Sequence, residues 1–232
     1  MNEQYLKKLE GLEGYTGYIF KDKNLLLEAM THSSFANERR INKTSCNERL
    51  EFLGDAVLEI VTSDYLFKNF KDLPEGKLSK MRSSLVCEPA LFECSKAIHL
   101  SEFIFLGKGE DSGGGRKKPS VISDAFEALL GAVYLDGGIE KAGEIIYKFI
   151  LTRERINEAN ISDSKSYLQE IIQRDKKPHV IEYDILSESG PEHDKNFIVA
   201  VSIDGKEQGR GEGKNKKAAE KAAALQAVKK YE

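Results

Sequence analysis

Apolar residues recur at helical spacing through the first two thirds of the chain and at alternate positions in the last third. Residues 3–13, 22–38, 46–70, 75–97, 119–135 and 138–155 carry the helical pattern, with glycine- or proline-containing breaks between them. A polar stretch, 157–163, holds few apolar residues and reads as a linker, and a helix is predicted over 164–174. The period then changes to two. Ile181, Tyr183 and Ile185 alternate with Glu182 and Asp184, and Phe197, Val199, Val201 and Ile203 repeat the alternation. Asp204-Gly205 supplies a tight hairpin into a third strand, 206–212, and an Ala-rich helix follows from about Lys214. The predicted fold is multidomain: an all-α domain over 1–156, the linker 157–163, and an α-β-β-β-α (α+β) domain over 164–232.

Two of the predicted helices carry acids in an unusual place. Glu48, Glu51 and Asp55 fall within about a 60° arc at 100° per residue. Leu50, Leu53, Val57, Ile60 and Val61 cluster on the opposite side, which gives an apolar back and an acidic front. Like charges at i+3 and i+4 destabilise a helix by roughly 0.2–0.5 kcal/mol per pair, so a compensating partner is expected. The second helix, 121–135, is apolar apart from Asp124 and Glu127, again i and i+3 on one face. Carboxylates on an apolar helix are rarely buried unless paired or bound to metal. Packed side by side, the two helices would assemble four or five oxygen donors, which suits a hard divalent cation such as Mg²⁺.

Composition narrows the classes. The 232 residues are 40% hydrophobic and 31% charged, as in an ordinary soluble protein of one or two domains. No apolar run approaches the ~18 residues needed to span a bilayer, and no N-terminal apolar leader stands out. Cys46, Cys87 and Cys94 form no CxxC pair, which fits a reduced, cytoplasmic setting. The four histidines are scattered and none has Glu three positions before it, so neither zinc nor a di-iron bundle site is expected. The net charge of −3 hides a split, since residues 206–230 carry eight Lys/Arg against three acids. Three of those cations, Lys214, Lys216 and Lys217, open the last helix, where the macrodipole disfavours them unless an anion such as phosphate is shared. Segment 107–118 is Gly-rich but lacks the order of a nucleotide-binding P-loop, so no nucleotide cofactor is expected. It reads as a mobile loop, and the sequence leaves open whether its Arg116, Lys117 and Lys118 touch backbone phosphates.

The run Asn47-Glu48-Arg49-Leu50-Glu51-Phe52-Leu53-Gly54-Asp55 resembles the signature of bacterial ribonuclease III. Thr31-His32-Ser33-Ser34, Pro74-Glu75-Gly76, Ser79-Lys80-Met81-Arg82 and Ser123–Leu129 follow in that family's order and spacing. The C-terminal part, through Tyr167-Leu168-Gln169-Glu170, Gly190-Pro191-Glu192-His193 and Gly211–Glu220, resembles the double-stranded RNA-binding domain.

The resemblance implies a Mg²⁺-dependent endoribonuclease that cuts both strands of duplex RNA. Glu51, Asp124 and Glu127 are then metal ligands, and Asp55 and Glu127 are catalytic. Glu48 and Glu75 support the acids or position RNA. Glu59 also projects toward the acidic front, but no family motif includes it, so it reads as surface. Two cations per site fit phosphodiester hydrolysis, one for the attacking water and one for the departing 3′ oxygen, and Mn²⁺ substitutes. Gln169 and His193 are expected to enter successive minor grooves while Lys214, Lys216 and Lys217 bridge the phosphates between them. One acid cluster serves one strand, so a twofold homodimer is expected, with Phe52, about 40° from Glu48, entering the partner subunit. The alternative is a non-catalytic duplex-RNA-binding protein of the same fold.

Overall fold

The computed structural model describes residues 2–40, 45–162, 164–174, 177–191 and 195–231. Two compact units emerge, residues 1–73 with 82–155, and residues 74–81 with 156–232. The order is α1 (Asn2–Thr16), α2 (Lys23–Ala29), α3 (Ser33–Glu38), α4 (Glu48–Asn69), α5 (Glu75–Val86), α6 (Glu88–Ala97), α7 (Leu100–Phe103) and α8 (Lys108–Ser112). It continues with a 3₁₀ turn (Gly115–Lys117), α9 (Pro119–Phe149), α10 (Arg153–Ser162), α11 (Ser164–Gln173), β1 (Ile181–Ser189), β2 (Asn196–Ile203), β3 (Lys206–Gly213) and α12 (Lys216–Val228). Among the described residues no helix is long and apolar enough to cross a membrane.

Breaks in the helical pattern have local causes. The predicted helix 22–38 is two helices. Thr31 leaves the helical path to bridge Phe105, with Phe105 N–H donating to Met30 O at 2.8 Å and His32 N–H to Phe105 O at 3.1 Å. The predicted helix 75–97 breaks at Cys87, because Pro89 is tolerated only in the first turn of a new helix. By contrast 119–135 and 138–149 are one element, kinked at Gly138, whose φ of 85° few other residues would adopt. The stretch read as a linker is helical up to Ser162.

In the N-terminal unit, α4 and α9 cross at the centre. Leu50, Val57, Leu58, Val61 and Leu66 of α4 are buried, as are Val121, Ile122, Phe126, Leu129 and Leu130 of α9. Burying each such side chain stabilises by about 1.5–3 kcal/mol, so the crossing dominates the core. Ile60 departs from the apolar back predicted for it and is 59% exposed. It lines an open groove between α4 and the kinked middle of α9 instead.

In the C-terminal unit, the antiparallel sheet has order β1-β2-β3. The β2–β3 turn places Asp204 at φ 50° and Gly205 at φ 76°, the left-handed pair that a two-residue hairpin requires. Phe197, Val199, Val201 and Ile203 face inward against Tyr167, Leu168 and Ile172 of α11 and the alanines of α12. Small residues on both sides let β3 press on α12: a Cβ at Gly211 would meet Ala223 N at 2.1 Å. The strand runs to Gly213, and α12 begins at Lys216 under an Asn215 cap that accepts from Ala218 N–H at 2.9 Å.

Candidate active site

The acids meet because the two helices touch backbone to backbone. A Cβ at Gly54 would lie 1.8 Å from Glu127 O, and one at Gly131 would lie 2.2 Å from Leu50 O. Only glycine fits at either position. A glycine inside a helix costs about 0.5–1 kcal/mol relative to alanine, a cost offset here by the approach it permits. Gly54 follows Glu51 by one turn, and Gly131 follows Glu127 by one turn, so the crossing sets the two acid pairs face to face.

Glu51, Asp124 and Glu127 each offer a carboxylate oxygen, and the three oxygens lie within 4.8 Å of one another. All three side chains are half-buried. Burial, then Asp55, Asp124 and Glu51, push Glu127 up to about 8. Glu51 is raised by burial and then by Asp124, Glu48 and Asp55. Asp124 is raised by burial and by Glu88, with His32 acting in the other direction. Three oxygen donors that resist ionisation together form a site short of positive charge. Hard divalent cations take such a donor set, with water completing the shell.

Asp55 stands outside the tight trio, exposed one turn along α4, and acts on Glu127 through its charge. Glu48 is exposed in the first turn of α4 and acts likewise on Glu51. Glu75 is exposed on α5, and its carboxylate accepts from Ser79 Oγ at 2.7 Å. Glu59, expected as bare surface, pairs with Arg82 Nε at 2.7 Å. Cys46 beside the acidic run is buried, and burial pushes its thiol up, away from nucleophilic behaviour.

The expectation of a mobile basic loop at 107–118 is corrected. That segment folds into α8 and the 3₁₀ turn, because Arg116 is used internally. Its guanidinium donates to Asp111 at 2.8 and 3.1 Å and to the carbonyls of Ser101 and Ile104 at 2.7 and 2.9 Å. Lys118 pairs with Glu110 at 2.7 Å.

Of the residues expected to face RNA, Gln169 is exposed on α11, Lys216 and Lys217 are exposed in the first turn of α12, and Lys214 is exposed just before its Asn215 cap. His193 lies outside the described residues. Phe52 is 81% exposed on α4, an extreme value for a phenylalanine.

The ribonuclease-III-like family model matches residues 22–154, and the double-stranded RNA binding motif matches residues 164–231. Ribonuclease 3 of Listeria monocytogenes serotype 4a is 46% identical over 224 residues, 96% of this chain and 97% of that protein. Ribonuclease 3 of Anoxybacillus flavithermus is 46% identical over 224 residues, 96% and 94% of the two chains. The solved nuclease domain of ribonuclease III from Campylobacter jejuni, described for flexibility in its dimer-forming region, has a TM-score of 0.57 at 46% identity. It covers 61% of this chain and 95% of its own. A helical acid-cluster domain followed by a duplex-RNA-binding domain defines an endoribonuclease, a hydrolase of RNA strands. The chain belongs to the ribonuclease III family.

Proposed function

We propose that the protein is a Mg²⁺-dependent endoribonuclease that hydrolyses both strands of duplex RNA, leaving 5′-phosphate and 3′-hydroxyl ends with short 3′ overhangs. Its role is in rRNA precursor and mRNA processing in the cytoplasm. The observation that carries this reading is the convergence of Glu51, Asp124 and Glu127 across a glycine-to-backbone helix crossing. The donor set fits Mg²⁺ because it is all oxygen and carries more like charge than the site tolerates unaided. Divalent cations bound there supply Lewis acidity to the attacking water and the departing 3′ oxygen, and Mn²⁺ substitutes for Mg²⁺.

The chain's own groups do the rest. Glu51, Asp124 and Glu127 would hold the cations, two per site, and so fix where the phosphodiester must lie. Asp55 presents a solvent-facing carboxylate beside them and orders water. Glu48 and Glu75 position the strand. In the C-terminal domain, residues 164–232, Gln169 and His193 meet minor grooves, and Lys214, Lys216 and Lys217 meet the phosphates between them.

A homodimer places one such centre on each strand. Phe52 is exposed, and α4 and α9 of the same unit frame a groove of about 750 Å³ lined by Leu53, Val57, Ile60, Leu135 and Ile139. An isologous pair buries both phenylalanines at once, the self-complementary arrangement that twofold symmetry demands.

The test is to incubate the protein with duplex RNA and duplex DNA, with Mg²⁺ or Ca²⁺, and to map the product ends. Cleavage of RNA alone, in Mg²⁺, with staggered 5′-phosphate ends supports the reading. Tight duplex binding with intact strands would replace it with the non-catalytic alternative.

A further inference from the structure

His32 has a side chain held in one orientation near the acid cluster, and neither the proposed cation binding nor the proposed duplex docking uses it. Its Nδ1 accepts from the backbone N–H of Ser34 at 3.2 Å. An amide only donates, so Nδ1 carries no hydrogen. The Ser34 hydroxyl, 2.8 Å from Nδ1, therefore donates there, and it accepts in turn from Gly107 N–H at 2.9 Å. The ring is fixed as the tautomer with hydrogen on Nε2. That atom has no hydrogen-bond partner among the described residues, and it is not among the buried unpartnered atoms, so the N–H faces solvent.

The backbone decides what lies beside it. Asn47 N–H donates to Thr31 O at 2.8 Å, and Glu51 N–H donates to Asn47 O at 2.8 Å. His32 thus directly follows the residue that anchors the first turn of the acid helix α4. The ring lies within electrostatic reach of Asp124 in the cluster and of Glu110. An Nε2 that bears hydrogen offers no lone pair to a cation, so the ring is not a metal ligand. What it offers is a rigid donor at the edge of a carboxylate centre that would otherwise repel a polyanion.

We propose that His32 is a substrate-positioning residue whose Nε2–H donates to a non-bridging phosphate oxygen of the RNA strand held at the Glu51–Asp124–Glu127 cluster. The inference rests on duplex RNA being the substrate, as proposed above.

His32→Asn separates the two ends of the ring. The short amide still caps α3 by accepting from Ser34 N–H, while the distal donor is gone. With wild type cutting duplex RNA in Mg²⁺, kcat/KM of the variant should fall about tenfold to a hundredfold, the range for a hydrogen bond to a charged group. Its Tm and the Mg²⁺ concentration for half-maximal rate should not move. An unchanged kcat/KM overturns the proposal, and so does a raised Mg²⁺ requirement, which would assign His32 to Asp124 rather than to RNA. A second measurement needs no variant. In ¹⁵N-histidine-labelled wild type, the His32 Nε2 resonance should carry hydrogen and shift when duplex RNA is added in Ca²⁺. No shift on saturation with RNA also overturns it. Failure of wild type to cut RNA would instead reject the underlying reading of function.

Discussion

Gly54 of α4 rests on the carbonyl of Glu127 of α9, so close that a Cβ at position 54 would stand 1.8 Å from that oxygen. The residue that lets the helices meet thus touches the peptide of the residue that completes the acid cluster. Packing and chemistry share one point of touch. Gly54→Ala is expected to force the helices apart, destabilising the nuclease unit by about 3 kcal/mol, the upper end for overpacking. Divalent cation affinity should fall with it. Calorimetry of thermal unfolding and of Mn²⁺ binding checks both; an unchanged Tm and affinity would show that the crossing tolerates a methyl group.

The raised Glu127 makes stability and metal binding move oppositely with pH. Below pH about 4.5 its carboxyl is protonated in both folded and unfolded chains and contributes no pH dependence. Between about 4.5 and about 8 the unfolded chain releases the proton and the folded chain keeps it, so metal-free stability falls as pH rises. Above about 8 the penalty is constant. Cation binding needs the carboxylate, so affinity should climb through the same window, by up to about tenfold per pH unit for one proton released. Urea melts of metal-free protein and Mg²⁺ titrations across pH 5–9 measure the two slopes. Glu127→Gln should flatten the first; if it leaves that slope intact, Glu127 is not the titrating group.

Much of this was legible in the residues, and what escaped has physical causes. Periodicity located α4, α9 and β2 through their buried faces and β1 through its Ile-Tyr-Ile alternation, while β3 followed from the Asp204-Gly205 turn. Glu51, Asp124 and Glu127 stood out because acids on apolar helices are energetically unfavourable. Periodicity missed the break at Thr31, which depends on a bridge to Phe105 more than 70 positions away. Nor could it tell that Arg116 directs its donors to Asp111, Ser101 and Ile104, which folds the Gly-rich segment into short helical turns. Ile60 carries the apolar period of α4 yet is exposed, since a helical pattern gives a face but not what covers it. Gly54 and Gly131 were the readable signal that went unused: glycines one turn after each acid pair, in helices that have no other need of them.

Phe52→Glu is expected to shift the protein toward monomer and to abolish double-strand cuts, because a charge would be desolvated in the groove of the second copy. Sedimentation equilibrium reads the first effect and product mapping the second. A dimer of wild-type affinity with full activity would remove Phe52 from the interface.

Replacing Lys214, Lys216 and Lys217 together with alanine should weaken duplex binding and flatten its salt dependence. Every lysine–phosphate pair removed lowers the log K against log salt slope by about one unit, by analogy with B-DNA. Cleavage should persist at low salt, since the acids lie on α4 and α9. Affinities over a salt series decide the matter, and an unchanged slope would mean that these lysines are a solvated surface.

The most direct test of the central claim compares Glu127→Gln with wild type for cleavage and for duplex RNA affinity in saturating Mg²⁺. The variant keeps the size of the side chain and removes one ligand charge, while the duplex-docking surface is untouched. Cleavage should disappear while RNA affinity stays within about threefold, less than 1 kcal/mol. Near-normal turnover by the variant would contradict the assignment of the cluster as the metal-binding centre.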